Sequence, residues 1–142
     1  MLITKVTQNI YRGPSPMYRQ EFKFLEDQGF TQILDLQSHE DGVIWRTQLA
    51  GQFSMVNINI PMSEILPPTK EQLDKTYQIL TSNPPLGFKI YVHCRTGVDR
   101  TGMVIANFRI KAQGWSVDSA IAEMKDRGMH WWYYWWAWNL ER

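Results

Sequence analysis

His93 to Gly102 read HCRTGVDRTG. The chain's single cysteine, Cys94, stands six positions before Arg100, with Gly97 between them and Thr101 and Gly102 just after. Upstream, Phe88 to Val92 predict a buried strand; downstream, Thr101 to Lys111 predict a helix. A strand, a tight loop and a helix N-terminus make a cradle for a tetrahedral oxyanion. Five residues between Cys94 and Arg100 can wrap once around such an ion with backbone N–H groups turned inward. The helix adds the positive end of its dipole. Arg100 can grip two oxygens with its planar fork, a geometry lysine cannot match. Arg95, Thr96, Gly97, Val98, Asp99 and Arg100 are therefore the candidate anion-binding set.

Cys94 is the candidate nucleophile. Helix N-termini and nearby cations favour the thiolate form of a cysteine, and a thiolate in this cradle can accept a phosphoryl group. Thr101 can offer its hydroxyl to the sulfur as it departs again. Gly97 permits backbone angles that a side chain forbids, and Gly102 is expected to let the helix pack closely on the loop. His93 reads as an orienting hydrogen-bond partner of the loop rather than a base. Arg95 is either a solvated rim residue or a positive charge at the pocket mouth that favours polyphosphorylated substrates.

Composition supports one ordinary domain over residues 1–142. The length suffices for a sizeable core, and 44% hydrophobic with 20% charged residues is a globular balance. A net charge of +1 provides no global field for nucleic acid or an anionic membrane, so attraction for phosphate must be local. One cysteine excludes an internal disulfide and suits a reducing, cytoplasmic setting. The N-terminus lacks a signal-peptide pattern, and no apolar run is long enough to span a bilayer. Nothing fixes the oligomeric state; a monomer is the expectation.

Strands and helices alternate along the chain. Val6, Ile10 and Tyr11 suggest a strand ended by Gly13-Pro14-Ser15-Pro16. Met17 to Gln28 predicts a helix with Phe22 and Leu25 inward, stopped by Gly29. A strand follows over Thr31–Leu36, a short helix over Val43–Ala50 and a strand over Met55–Ile60 ending at Pro61. Thr69 opens a helix through about Leu80, with Leu73, Tyr77 and Leu80 on one face, and Asn83-Pro84-Pro85 ends it. Ser116 caps a last helix through Lys125. The sum is an α/β fold: a small central mixed sheet flanked by helices, with the anion loop between a strand and a helix.

The segment HCRTGVDRTG resembles the signature of the cysteine-dependent tyrosine phosphatase superfamily, and the length and flanks resemble its dual-specificity branch. TQNIYRGPSP (Thr7 to Pro16), GFTQILDLQS (Gly29 to Ser38) and NINIPMSE (Asn57 to Glu64) resemble the family's first strand and turn, its second strand and the strand before its acid loop. The resemblance covers roughly Val6 to Lys125 on pattern and spacing. It extends to bacterial tyrosine-phosphatase-like inositol polyphosphatases, and Asp99-Arg100-Thr101 is similar to the loop end of myotubularin-type lipid phosphatases. It implies a tyrosine-phosphatase-like fold, phosphocysteine chemistry on phosphotyrosine or inositol polyphosphates, and no cofactor or metal.

The proton donor is open on sequence. The family's upstream aspartate is missing, since no aspartate occurs between Asp41 and Asp74. Glu64 is the carboxylate in the corresponding region. Asp99 is the rival, by its likeness to the myotubularin-type loop, and is slightly favoured. Without a donor, the chain becomes a phosphate-binding pseudophosphatase with little turnover. A rhodanese also uses a cysteine in an anion loop, and an arsenate reductase needs a second cysteine that this chain lacks. Arg12 is either a substrate contact or a surface ion pair, Asp35 a turn cap, and His130 packing. His39, Glu40 and Asp41 look metal-like but lack a second ligand group.

The tail, GMHWWYYWWAWNLER from Gly128, reads as an aromatic C-terminal helix over about 129–142. At α-helical spacing Trp131, Trp135 and Trp138 share one face and Trp132, Trp136 and Asn139 the next. It is either pinned across the core by a few rings or exposed as an aromatic surface.

Overall fold

The computed structural model describes residues 1–38, 42–82 and 88–140. His39, Glu40 and Asp41, the Asn83-Pro84-Pro85 helix stop and the last two residues lie outside the described residues. Five strands form one mixed sheet: β1 (Thr4–Lys5), β2 (Ile10–Gly13), β3 (Gln32–Asp35), β4 (Val56–Asn59) and β5 (Ile90–His93), in spatial order β1-β2-β5-β3-β4. β1 runs antiparallel to β2, while β2, β5, β3 and β4 are mutually parallel. The helices are α1 (Arg19–Asp27), α2 (Val43–Gln52), α3 (Lys70–Thr81), α4 (Asp99–Gln113) and α5 (Val117–Asp126), followed by a 3-10 helix over Trp131–Asn139.

Burial dictates the layers. β5 is buried at all four positions, as a central parallel strand must be. Its side chains alternate between two cores. Ile90 and Val92 join Leu34, Leu73, Met103, Ile105 and Trp136 on one face. Tyr91 joins Phe22, Leu25, Ile33 and Leu49 on the other. α3 begins with a reciprocal capping box: Thr69 Oγ1 accepts from Gln72 N–H at 3.2 Å, and Gln72 Oε1 accepts from Thr69 N–H at 2.9 Å. Thr76 is fully buried on this helix because its hydroxyl donates to the Leu73 carbonyl at 3.0 Å, while Tyr77 is only partly covered.

The parallel register brings three strand ends to one edge. His93 lies opposite Gly13 on one side and Asp35 on the other. The segments leaving β2, β3 and β5 therefore emerge together, where ligands of open parallel sheets bind.

Asp35 does more than cap a turn. It is fully buried, accepts from Gln37 N–H at 3.0 Å, and pairs with buried Arg46 of α2 through Nε at 2.7 Å. Its own carbonyl accepts from Asn59 Nδ2 at 2.8 Å. The pair fastens α2 to the sheet directly behind the loop after β5. Removing one member of a buried pair leaves an uncompensated charge. Arg46→Ala is expected to lower unfolding free energy in urea by about 3–5 kcal/mol, whereas Lys23→Ala, which breaks an exposed pair, is expected to leave the urea midpoint essentially unchanged.

Candidate active site

The loop after β5 runs from Cys94 to Val98 and turns into α4 at Asp99. Its shape is imposed by glycine. Gly97 has φ +78°, and a Cβ there would collide with the backbone carbonyl of Gly13 and sit 2.8 Å from Pro14 N. The loop thus rests directly on the turn after β2. That turn is itself fixed from beneath. Tyr91 donates its hydroxyl to the Pro14 carbonyl at 2.5 Å, and burial holds that hydroxyl well above its ordinary range, so it stays a donor. Gly102 is different. A Cβ there would find Met124 Cγ at 3.7 Å and Arg12 Nη2 at 3.9 Å, which are ordinary contacts, so close helix–loop packing does not require this glycine.

The loop carbonyls are held from behind. Arg12, 5% exposed, donates Nη2–H to the Gly97 carbonyl at 3.1 Å. It is therefore not a surface ion pair but a buried clamp on the loop. Burial lowers its guanidinium from the ordinary value, against the raising pull of Glu123. Ser15 N–H donates to the Arg95 carbonyl at 3.1 Å. His93 Nδ1 lies 3.0 Å from the Cys94 carbonyl. Burial pushes the His93 imidazole down to about 4, although Asp35, 3.9 Å from Nε2, pulls the other way. A neutral ring with its proton on Nδ1 satisfies the carbonyl contact.

The loop opens onto a pocket of about 180 Å³. The pocket is lined by Cys94, Arg95, Thr96, Asp99 and Arg100 from the loop and the start of α4, and by Glu64, His130, Trp132, Tyr133 and Trp136 from the segments after β4 and α5. Cys94 is 2% exposed and Arg100 4%. Arg100 donates to the Met62 carbonyl at 3.3 Å and to Glu64 Oε1 at 3.2 Å. Glu64 thus reaches the pocket from the segment after β4. The Thr101 hydroxyl is fully buried and has no hydrogen-bond partner among the described residues.

His130 is the residue that sequence reading missed. It is not mere packing. Its backbone N–H donates to Asp99 Oδ1 at 3.0 Å, and its Nδ1 lies 2.7 Å from Asp99 Oδ2. Both carboxylate oxygens of Asp99 are thus engaged by one residue. The ring stacks on Trp132 with centroids 4.6 Å apart. The signal lay in sequence all along, as a histidine opening an aromatic run, but only the fold shows that this run returns to the loop.

The tail is helical with the tighter 3-10 period, so its faces differ from α-helical expectation. Tyr133, Trp136 and Asn139, three apart, contact the body of the protein, and Ala137 and Leu140 are buried beside Trp136. Trp136 is fully buried, 4.2 Å from the Tyr133 ring, and donates Nε1–H to the Ile65 carbonyl at 3.3 Å. Asn139 Nδ2 donates to the Pro68 carbonyl at 3.2 Å. Trp132, Trp135 and Trp138 are exposed.

A cysteine at the start of a backbone loop, an arginine at its end and a helix that follows it, at the edge of a parallel sheet, make up the candidate site. Residues 3–130 match the family described as a DSP-PTPase phosphatase fused to NAD+ kinase, and the chain belongs to that family. Protein phosphatase Slingshot of Drosophila melanogaster is 27% identical over 124 residues, 87% of this chain and 11% of that protein. Slingshot homolog 2 of Homo sapiens is 24% identical, again over 87% of this chain and 8% of that protein. The chain therefore spans about a tenth of the curated relatives it matches. Among solved structures, the catalytic domain of the PP-IP phosphatase Siw14 from S. cerevisiae superposes with a TM-score of 0.79 at 22% identity, covering 98% of this chain and 85% of that one. PTPMT1 gives 0.74 at 18%, covering 88% and 82%. These likenesses establish the α/β tyrosine-phosphatase-like fold. Among the described residues no helix is long and apolar enough to cross a membrane.

Two expectations follow. Gly97→Ala is expected to cost at least about 1–2 kcal/mol through its left-handed backbone alone, with more from the Gly13 collision, and to deform the anion loop. Gly102→Ala, in a helix interior, is expected to be neutral or to stabilise by about 0.5–1 kcal/mol. Thermal melts with phosphate or tungstate binding check both. His93 supplies a pH dependence. Its folded value, about 4, lies below the ordinary 6.5, so the unfolded chain binds its proton first. Its contribution is complete above pH 6.5 and is lost as pH falls towards 4, amounting to on the order of 3 kcal/mol. Urea titrations across that window should show a flatter profile in His93→Asn than in the parent.

Proposed function

We propose that this chain is a phosphate monoester hydrolase working through a phosphocysteine, with residues 1–142 acting as one phosphatase domain. The observation that carries this reading is the placement of Cys94 and Arg100 at the two ends of one glycine-shaped loop that leads into α4 and opens onto a pocket. Cys94 attacks phosphorus, forming an S–P bond as the P–O bond to the leaving group breaks. Loop N–H groups from Arg95 to Arg100 and the Arg100 guanidinium hold the equatorial oxygens. The dianion competes with Glu64 for the Arg100 fork. Water then attacks the phosphocysteine, and the Thr101 hydroxyl, which has no other described partner, stabilises the departing thiolate. The leaving oxygen is protonated from the Asp99–His130 pair, or by Glu64. The site uses no metal or cofactor in this scheme.

Phosphotyrosine on protein is the first substrate class. The aromatic wall of Trp132, Tyr133 and Trp136 suits a planar ring, and two arginines, Arg95 and Arg100, face two carboxylates, Glu64 and Asp99, which does not favour very high anionic charge. Inositol polyphosphates are the second. Exposed Arg95 lines both this pocket and a neighbouring cleft bounded by Met17 and Trp45, leaving room for a further phosphate. The similarity to Siw14 supports that reading. A lone cysteine suits a reducing cytoplasm.

Steady-state phosphate release from a phosphotyrosine peptide and from inositol hexakisphosphate tests the proposal. The expected outcome is turnover of at least one by the parent and loss to background in Cys94→Ser, with the better substrate naming the branch. A parent that binds both but releases nothing would make the chain a phosphate-binding pseudophosphatase.

A further inference from the structure

We infer that His130 is the catalytic residue that carries the leaving-group proton, with Asp99 as its positioning residue. The inference rests on the phosphatase reading above and assigns the atom that reading left open. Asp99 is poorly arranged to give up a proton itself, because Oδ1 accepts from the His130 backbone N–H and Oδ2 meets His130 Nδ1 at 2.7 Å. That is the arrangement of an ionised carboxylate holding a histidine in one tautomer and orientation. With Nδ1 committed to Asp99, Nε2 is the remaining proton-carrying atom of the ring. His130 lines the same pocket as Cys94, and its side chain is 41% exposed while that of Asp99 is 13%. Stacking on Trp132 fixes the plane of the ring. Glu64, the rival donor, is tied to Arg100, which must itself turn to the phosphate.

The step balances without a further reagent. As Cys94 sulfur bonds to phosphorus, the P–O electron pair goes to the leaving oxygen, which takes the Nε2 proton of the His130 imidazolium. The neutral ring then removes a proton from the water that attacks the phosphocysteine. The S–P pair returns to sulfur, inorganic phosphate leaves, and the imidazolium is restored. The His130–Asp99 pair thus supplies what the family's upstream aspartate otherwise provides.

Leaving-group dependence tests this. Phenyl phosphate needs a proton at the departing oxygen, and 2,4-dinitrophenyl phosphate departs without one. His130→Asn is expected to lower kcat on phenyl phosphate by about 10²-fold or more, and on the dinitrophenyl ester by no more than about three-fold. Asp99→Asn should show the same contrast, and the double variant should be no worse than His130→Asn, because the two act as one unit. Added imidazole should restore phenyl phosphate turnover in His130→Ala. Equal losses on both esters would reduce His130 to a structural tie of the tail. A selective loss in Glu64→Gln with His130→Asn unaffected would give the proton to Glu64. Either result overturns the inference while the phosphatase reading stands. A parent that hydrolyses neither ester removes both.

Discussion

An anion loop presents a problem of hydrogen bonding before it presents one of catalysis. Its N–H groups must point inward to a ligand, so they cannot be spent on secondary structure, and the loop has to be held by its carbonyls instead. Here three of those carbonyls have named partners behind the loop. Cys94 O meets His93 Nδ1, Arg95 O accepts from Ser15 N–H, and Gly97 O accepts from Arg12. The contact of Gly97 on the Gly13–Pro14 backbone completes the support. The elements around the loop supply the donors its carbonyls need.

That support fixes the charge distribution as well. Arg12 is buried behind the loop and Arg100 is buried at its end. His93, between them and the Asp35–Arg46 pair, is held neutral by burial. A protonated His93 would add a fourth cation to the buried Arg12, Arg46 and Arg100. The carboxylates that face the pocket, Glu64 and Asp99, are each matched to a cationic or hydrogen-bonding partner, so the attraction for a phosphate is local and the chain stays near neutrality overall.

Much of this was legible in the chain. The spacing of Cys94, Gly97 and Arg100, flanked by strand and helix patterns, pointed to the loop that opens onto the pocket, because local chemistry and local periodicity agree there. The capped helices at Thr69 and Ser116 began where their side chains indicated. What the chain did not disclose depends on contacts between residues far apart in sequence. Arg12 looked like an exposed arginine because nothing near it signals Gly97, 85 positions away. Asp35 looked like a turn residue because Arg46 sits on another element. Gly102 is expected from sequence to let α4 pack closely on the loop, yet a methyl group there meets only ordinary contacts.

Which rings of the tail face inward was not legible for a different reason, which is period. At 3.6 residues per turn Trp136 shares a face with both Trp132 and Tyr133, so spacing alone does not say which of them is attached. At 3.0 it pairs with Tyr133 and Asn139, and this is the face that binds Ile65 and Pro68. A run of large rings on nearly every side offers no amphipathic contrast with which to choose between these periods. The choice is made by the partner carbonyls on the segment that follows β4. Since that segment carries Glu64 and His130 opens the tail, the same few contacts bring Glu64, Asp99 and His130 around one cysteine. The pocket is therefore assembled from the middle of the chain and its aromatic end together, with Trp132, Tyr133 and Trp136 as its aromatic wall.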